Sequence, residues 1–401
     1  SGTGDGGTIT LNASGTTSGA GTTLNLLAQP GSSLKGQYTM GRIIGVDNAV
    51  IVSTTAVTDV TVGIGELEIH STDTTGLSPA RLRVNPTNTR GVVQASTLYL
   101  TGTGNSIIDV AASAVNNQIT SGVTGAGLNV TGLDGSRDLT KWGNAYLWVG
   151  GNNSTSFTGD VYIEQGAIGV TNANAFGNAG TSITARRYGV LDILTTGFTK
   201  AVTYEAGSIE RWSVDNARSG TINLGAGSLQ VNADQNTTNA TLQINGGSIE
   251  GFLRTDDPAS ANSGLVFRTL GSGVSIDLLG NSFVGQNAFT DGPNGTDNGR
   301  TTDLTTGVGP DSNNNSELQA NARGAILEIK GNISGAGGLT KQSSDTVILS
   351  GTNTYTGATN VTNGTLRLGS TTALATGNNV TTSGRGVLDL GGFNTSIGNL
   401  N

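Results

Sequence analysis

The chain has 401 residues, 64 of them glycine, with 12% charged residues, 4% aromatics, no cysteine and a net charge of −8. A charged share so far below the usual roughly 25% fits a membrane protein or a stacked β architecture, and no apolar run is long enough to cross a bilayer as a helix. The missing cysteines exclude disulfides and thiolate metal sites. The missing basic stripe with interleaved aromatics excludes nucleic acid as a partner.

Ser1 opens directly in polar, glycine-rich sequence with no signal peptide, so a mature form or a fragment is expected. Residues 1–130 read as a β-rich, less regular solenoid segment. Short apolar runs such as Thr8–Leu11, Leu67–His70, Ala80–Val84, Leu98–Leu100, Ile107–Val110 and Leu128–Val130 are separated by Gly, Asn and Ser clusters. The 34% hydrophobic share of the whole chain, rich in Val, Ile and Leu, argues against disorder.

Residues 131–280 read as a regular β-helix. Ala201–Glu210, Thr221–Gln230 and Thr241–Glu250 align without gaps, each 20 residues after the last. Val202, Ile222 and Leu242 form one column, Tyr204, Leu224 and Ile244 the next, and Ile209, Leu229 and Ile249 a third. Gly207, Gly227 and Gly247 mark a turn before the third column. Apolar–polar alternation is the period of a half-buried strand. No helical pattern intervenes, and 20 residues are too few for a propeller blade, so each repeat is one coil of a β-solenoid. The expected fold class is all-β, a right-handed parallel β-helix with polar loop insertions.

Candidate sites follow in chain order. His70 is the single histidine and reads as a strand surface residue. Trp142, Trp148 and Trp212 are the candidates for stacking on sugar rings, although aromatics also simply favour strands. Asp256-Asp257 is the obvious pair of carboxylates for glycosidic cleavage. Adjacent residues on a strand face opposite ways, and Pro258 follows, so the pair reads as turn residues. No catalytic constellation is found. Residues 281–322 form a long polar insertion. Within it Asp311, Asn313, Asn315 and Glu317 alternate oxygen ligands as calcium loops do, but the glycine such loops require is replaced by Ser316. Calcium is the only cofactor the residues suggest, and a solvated loop is the competing reading.

Residues 323–401 return to the β-helix and contain the second copy of a longer duplication. Leu139-Thr140-Lys141 recurs as Leu339-Thr340-Lys341, Phe157-Thr158-Gly159 as Tyr355-Thr356-Gly357, and Gly189-Val190-Leu191-Asp192 as Gly386-Val387-Leu388-Asp389. The second copy, Gly335 to Ser370, resembles the autotransporter-associated β-strand repeat: a Gly-Leu-Thr-Lys entry, an alternating apolar strand, then Asn-x-Tyr-Thr-Gly and Leu-x-Leu-Gly. The copy at Leu139 is degenerate, with Trp142 and Trp148 in slots usually held by smaller residues. The resemblance implies a passenger-type β-helix, exported across the outer membrane to the extracellular face or cell surface. The first expectation is a structural scaffold that forms or decorates a fibre or coat, the second an adhesin binding host surfaces or glycans; a polysaccharide-active enzyme, which other β-helices can be, ranks last, and the chain is expected not to be an enzyme. The expected partners are copies of the chain itself or further coils of a longer solenoid beyond residue 401, and glycans or a host surface.

Overall fold

The structure, a computed structural model, describes residues 8–12, 22–28, 42–46, 48–55, 61–74, 79–86, 92–110, 127–143, 145–177, 180–251, 266–284, 325–342 and 345–401. Every regular element among them is a strand, and every strand pairing described is parallel. The protein is a parallel β-helix. The described residues fall into two compact units. One runs to Thr184 and includes Gly189–Leu191; the other comprises Ala185–Tyr188 and the described residues from Asp192 to Asn401.

In the first unit three ladders wind together. The first joins Thr8–Asn12, Arg42–Val46, Glu66–Ser71 and the later halves of Val92–Gly102 and Gly127–Gly135. The second joins Thr22–Ala28, Asn48–Thr55, Ala80–Pro86, Ser106–Val110, Leu139–Trp142 and the start of Val161–Val170. The third joins Thr61–Gly63, the starts of Val92–Gly102 and Gly127–Gly135, Tyr146–Val149 and the end of Val161–Val170. Alternation sends one face of each strand inward, where Leu67, Ile69, Leu82, Leu98, Ile108, Leu128 and Leu133 are wholly buried. Each such side chain contributes about 1.5–3 kcal/mol on leaving water.

The irregular sequence spacing of this unit has a simple cause. Early coils carry insertions, so Arg42 pairs with Glu66, Glu66 with Thr97 and Thr97 with Gly132. Later coils tighten, pairing Gly127 with Tyr146 and Leu139 with Val161.

The second unit repeats the plan. One ladder joins Ile209–Trp212, Ser228–Val231, Ser248–Gly251, Ser282–Val284, Leu339–Lys341 and Thr359–Leu368. A second joins Ser219–Gly225, Asn239–Ile244, Val274–Leu278 and Ile333–Gly335. A third joins Val266–Leu270, Ala325–Ile329, Thr346–Leu349 and the ends of Thr359–Leu368 and Asn378–Asp389. Val284 pairs directly with Lys341, so the ladder continues in register across the intervening sequence.

The 20-residue ruler holds in part. Ile222 lies opposite Leu242 and Leu229 opposite Ile249, as the columns require. A bulge between Asn223 and Gly225 sets Gly225, not Leu224, against Ile244, although both apolar side chains remain buried. The first step of the third column slips by one residue: Ile209 pairs with Ser228 and Glu210 with Leu229.

The turn glycines serve two physical ends. Gly207 has φ 85°, which L side chains avoid. Gly247 is needed for space, because a Cβ there would fall 1.9 Å from the Gly227 carbonyl oxygen.

Candidate functional site

The slip places polar groups inside the coil. The inward column of the second unit reads Glu210, Leu229, Ile249, Val284, Lys341 and Val361. That of the first unit includes Leu82, Ile108, Lys141 and Ile163. Both lysines of the duplicated Leu-Thr-Lys motif are therefore core residues, and neither is exposed.

A buried ammonium must find acceptors. Lys141 Nζ donates to the carbonyl oxygens of Trp142 (2.7 Å), Gly143 (2.8 Å) and, one coil on, Gln165 (3.2 Å). Burial lowers its pKa to about 7, against the upward pull of Asp109. Lys341 donates to the Asn363 carbonyl (3.2 Å) and pairs with Asp345 at 2.7 Å. Burial depresses its pKa too, and Asp345 opposes the shift. In the first copy the place of Asp345 is taken by Ala145.

Asn153 and Asn353 do for coils what the lysines do for turns. Asn153 Oδ1 accepts from Leu133 N one coil back (3.1 Å), and Nδ2 donates to Ala175 O one coil forward (2.8 Å). Asn353 does the same with Ile333 N (2.8 Å) and Ala373 O (2.6 Å). Beside them the two copies differ as a matched pair. Tyr355 is buried and its hydroxyl contacts Thr359 Oγ1 at 2.6 Å, with its pKa pushed up to about 12 by burial. Phe157, which has no hydroxyl, stands in the other copy, where Val161 occupies the register place of Thr359.

Glu210 is likewise enclosed. Its carboxylate accepts from Trp212 Nε1 (2.6 Å) and from the Tyr204 hydroxyl, and it pairs with Arg218 Nε at 3.1 Å. Burial pushes its carboxyl above the usual range, while Arg218 and Trp212 hold it down. Arg218 lies 5.1 Å from the Phe198 ring centroid. No access from solvent exists here, so the group fastens the core.

The outer face of the second ladder in the first unit is different. Arg83 lies opposite Asp109 and Asp109 opposite Trp142, so three successive coils present them outward in a column, with Arg81 alongside. Trp142 is 42% exposed. The Arg81 guanidinium carbon stands 5.6 Å from its ring centroid, within cation–π range. Arg81 and Arg83, both open to solvent, converge on one oxygen of the buried Asp109, Arg83 Nε at 3.6 Å. Of the described polar clusters, this one sets a part-exposed aromatic ring beside two part-exposed arginines.

The other sugar-stacking candidates are not available to a ligand. Trp148 is fully buried, stacked on Tyr146 with ring centroids 5.1 Å apart, and Trp212 is fully buried against Glu210. These two correct the sequence expectation: each ring is spent on packing. His70 sits on the outer face, 2.9 Å from Thr101 Oγ1 and 3.6 Å from Glu68. Asp256-Asp257 and the calcium candidates Asp311, Asn313, Asn315 and Glu317 lie outside the described residues. Among the described residues no group of three or more His, Asp or Glu side chains could hold a metal ion, and no helix is long and apolar enough to cross a membrane. Sequence reasoning missed Arg81, Arg83, Asp109, Glu210 and both core asparagines. The Asn-x-Tyr-Thr-Gly motif did contain one of these asparagines, but not its role.

The coils form a parallel β-helix in which the core lysine and core asparagine of each copy fasten neighbouring coils. Residues 339–368 match the Passenger-associated-transport-repeat model, a segment that contains Lys341, Asn353, Tyr355 and Thr359. Over 328 residues the chain is 26% identical to the Adhesin BmaC autotransporter of Brucella suis biovar 1 (strain 1330). That alignment covers 80% of this chain and 8% of the relative. No solved structure matches the chain.

Proposed function

We propose that the chain is an adhesive stretch of a surface-displayed passenger, with the coils as scaffold and the outer faces as contact surface. The observation that supports this best is the similarity to an adhesin autotransporter over 80% of the chain, on a parallel β-helix that carries the transport repeat. A ladder paired coil to coil holds its outer side chains in fixed places, as recognition requires. Lys141, Lys341 and Glu210, whose pKa values burial displaces, are sealed in the core, which suits a scaffold better than a catalyst.

The test is display of residues 1–401 on a non-adherent bacterium, with adhesion to host cells and matrix scored against an empty display frame. Adhesion that soluble chain competes away is expected. Absence of adhesion, together with ordered filaments of purified protein in electron micrographs, would replace this reading with the fibre or coat. Depolymerisation of a polysaccharide would replace it with the enzyme.

A further inference from the structure

We propose that the patch of Arg81, Arg83 and Trp142 binds a carboxylated saccharide, such as a uronic-type sugar acid, an inference that rests on the adhesive reading and names its ligand class. Four observations carry it. First, the fold does not ask for Trp142. The residue after the core lysine is Trp142 in one copy and Gln342 in the other, so the coil forms with a polar side chain in that place. A tryptophan kept 42% exposed where glutamine suffices leaves a large apolar ring in water, and such a ring is the usual platform for the C–H face of a pyranose.

Second, the donors beside it are held in place. The side chain of Asp109 is 3% exposed, those of Arg81 and Arg83 41% and 46%. The carboxylate therefore sits behind and the guanidinium groups in front. Both contact one Asp109 oxygen, Arg81 through Nη2 and Arg83 through Nε, which leaves the two Nη groups of Arg83 outside that contact. A fork fixed from behind recognises a carboxylate in two-point fashion.

Third, the charge is local and limited. Arg81 and Arg83 outnumber Asp109 at their end of the patch, so positive charge is confined to that end. One anionic group is accommodated there.

Fourth, the next coil sets a direction. Thr140 pairs with Tyr162 and Lys141 with Ile163, so the coil after Trp142 offers half-buried Tyr162 and, next along the strand, half-buried Glu164. The acid of the sugar then lies toward Arg81 and Arg83, the ring on Trp142, and neutral hydroxyls toward Glu164 and Tyr162. A densely sulfated chain fits this polarity poorly, and a free inorganic anion gains nothing from the ring.

The experiment uses the whole chain and titrates it with an oligogalacturonate, its methyl ester and inorganic sulfate. The oligogalacturonate is expected to bind, with the ester and sulfate each weaker by about tenfold or more. Trp142→Gln installs the residue of the other copy and should keep the unfolding midpoint while lowering affinity about tenfold. Arg83→Ala should lower affinity for the acid and leave the weak affinity for the ester unchanged. No binding of the acid by the native chain, equal binding of acid and ester, or unchanged affinity in Trp142→Gln would each overturn the proposal. The adhesion assay with Trp142→Gln separates the two readings. Undiminished adhesion removes this patch and keeps the adhesin, whereas saccharide binding without adhesion keeps the patch and removes the adhesin.

Discussion

Replacing Lys141 by methionine should change how stability depends on pH. The native pKa of this lysine is lowered from 10.5 to about 7, chiefly by burial. Between those values the unfolded chain holds the proton and the folded chain does not, so stability rises with pH across that window. The penalty is full below about pH 7 and gone above 10.5. At about 1.4 kcal/mol per pH unit the whole interval is worth about 5 kcal/mol, of which about 3 kcal/mol is recovered between pH 7 and 9.5.

Lys141→Met removes the titrating group while filling the same inward column. It also leaves the carbonyls of Trp142, Gly143 and Gln165 without the ammonium, so absolute stability at pH 7 is a poor test. The difference in slope is a clean one, because every other titration, that of Lys341 included, is common to both proteins. Urea unfolding at half-unit pH steps, followed by tryptophan fluorescence, should show the native midpoint climbing relative to the variant from pH 7 to 9.5. Parallel curves for the two proteins would refute the claim that this ammonium is penalised by its burial.

Three further outcomes follow from the core. Glu210→Gln leaves Arg218 as a buried, uncompensated cation and should cost about 3–5 kcal/mol, whereas adding Arg218→Met should restore much of it; a denaturant series on the single and double variants decides. Tyr355→Phe should cost about 1 kcal/mol, since Thr359 Oγ1 still donates to Asn378 Oδ1 at 2.7 Å, while Thr359→Val strands both neighbours and costs more. The double variant reproduces the Phe157–Val161 pair, so the two costs should be less than additive by about 1 kcal/mol in a double-mutant cycle. Gly247→Ala drives a methyl against the Gly227 carbonyl and should lower the midpoint sharply; thermal unfolding followed by circular dichroism measures it.

How far the sequence reaches is clear from particular residues. Alternation and the 20-residue period locate the strands from Ser219 to Gly251 and predict the Ile222–Leu242 and Leu229–Ile249 contacts correctly. They miss the slip at Ile209, because a shift of one residue between neighbouring coils leaves the apolar pattern of each strand unchanged. Parity places Lys141 and Lys341 inward, yet a lysine in an alternating run reads as surface until the backbone carbonyls that hold it are seen. The three tryptophans were indistinguishable by composition. Trp142 alone is left outside, because Trp148 has Tyr146 to cover it and Trp212 has Glu210 to bind its indole N–H. The arginine patch was invisible for a topological reason: Arg81, Asp109 and Trp142 are distant in sequence and meet only through stacking.

A ladder of backbone hydrogen bonds couples each coil to its immediate neighbours, and in such an array a terminal coil can detach at little expense to those further in. Asn153 and Asn353 change that arithmetic, because one side chain is satisfied by the coil before and the coil after at once. Peeling off the coil of Ala175 strands an amide that also holds Leu133, two coils away. Coupling therefore reaches to second neighbours, and opening should advance in blocks of more than one coil. At the duplicated motif the array is less like a zip, undone tooth by tooth, and more like overlapping bricks, in which no single course lifts out alone.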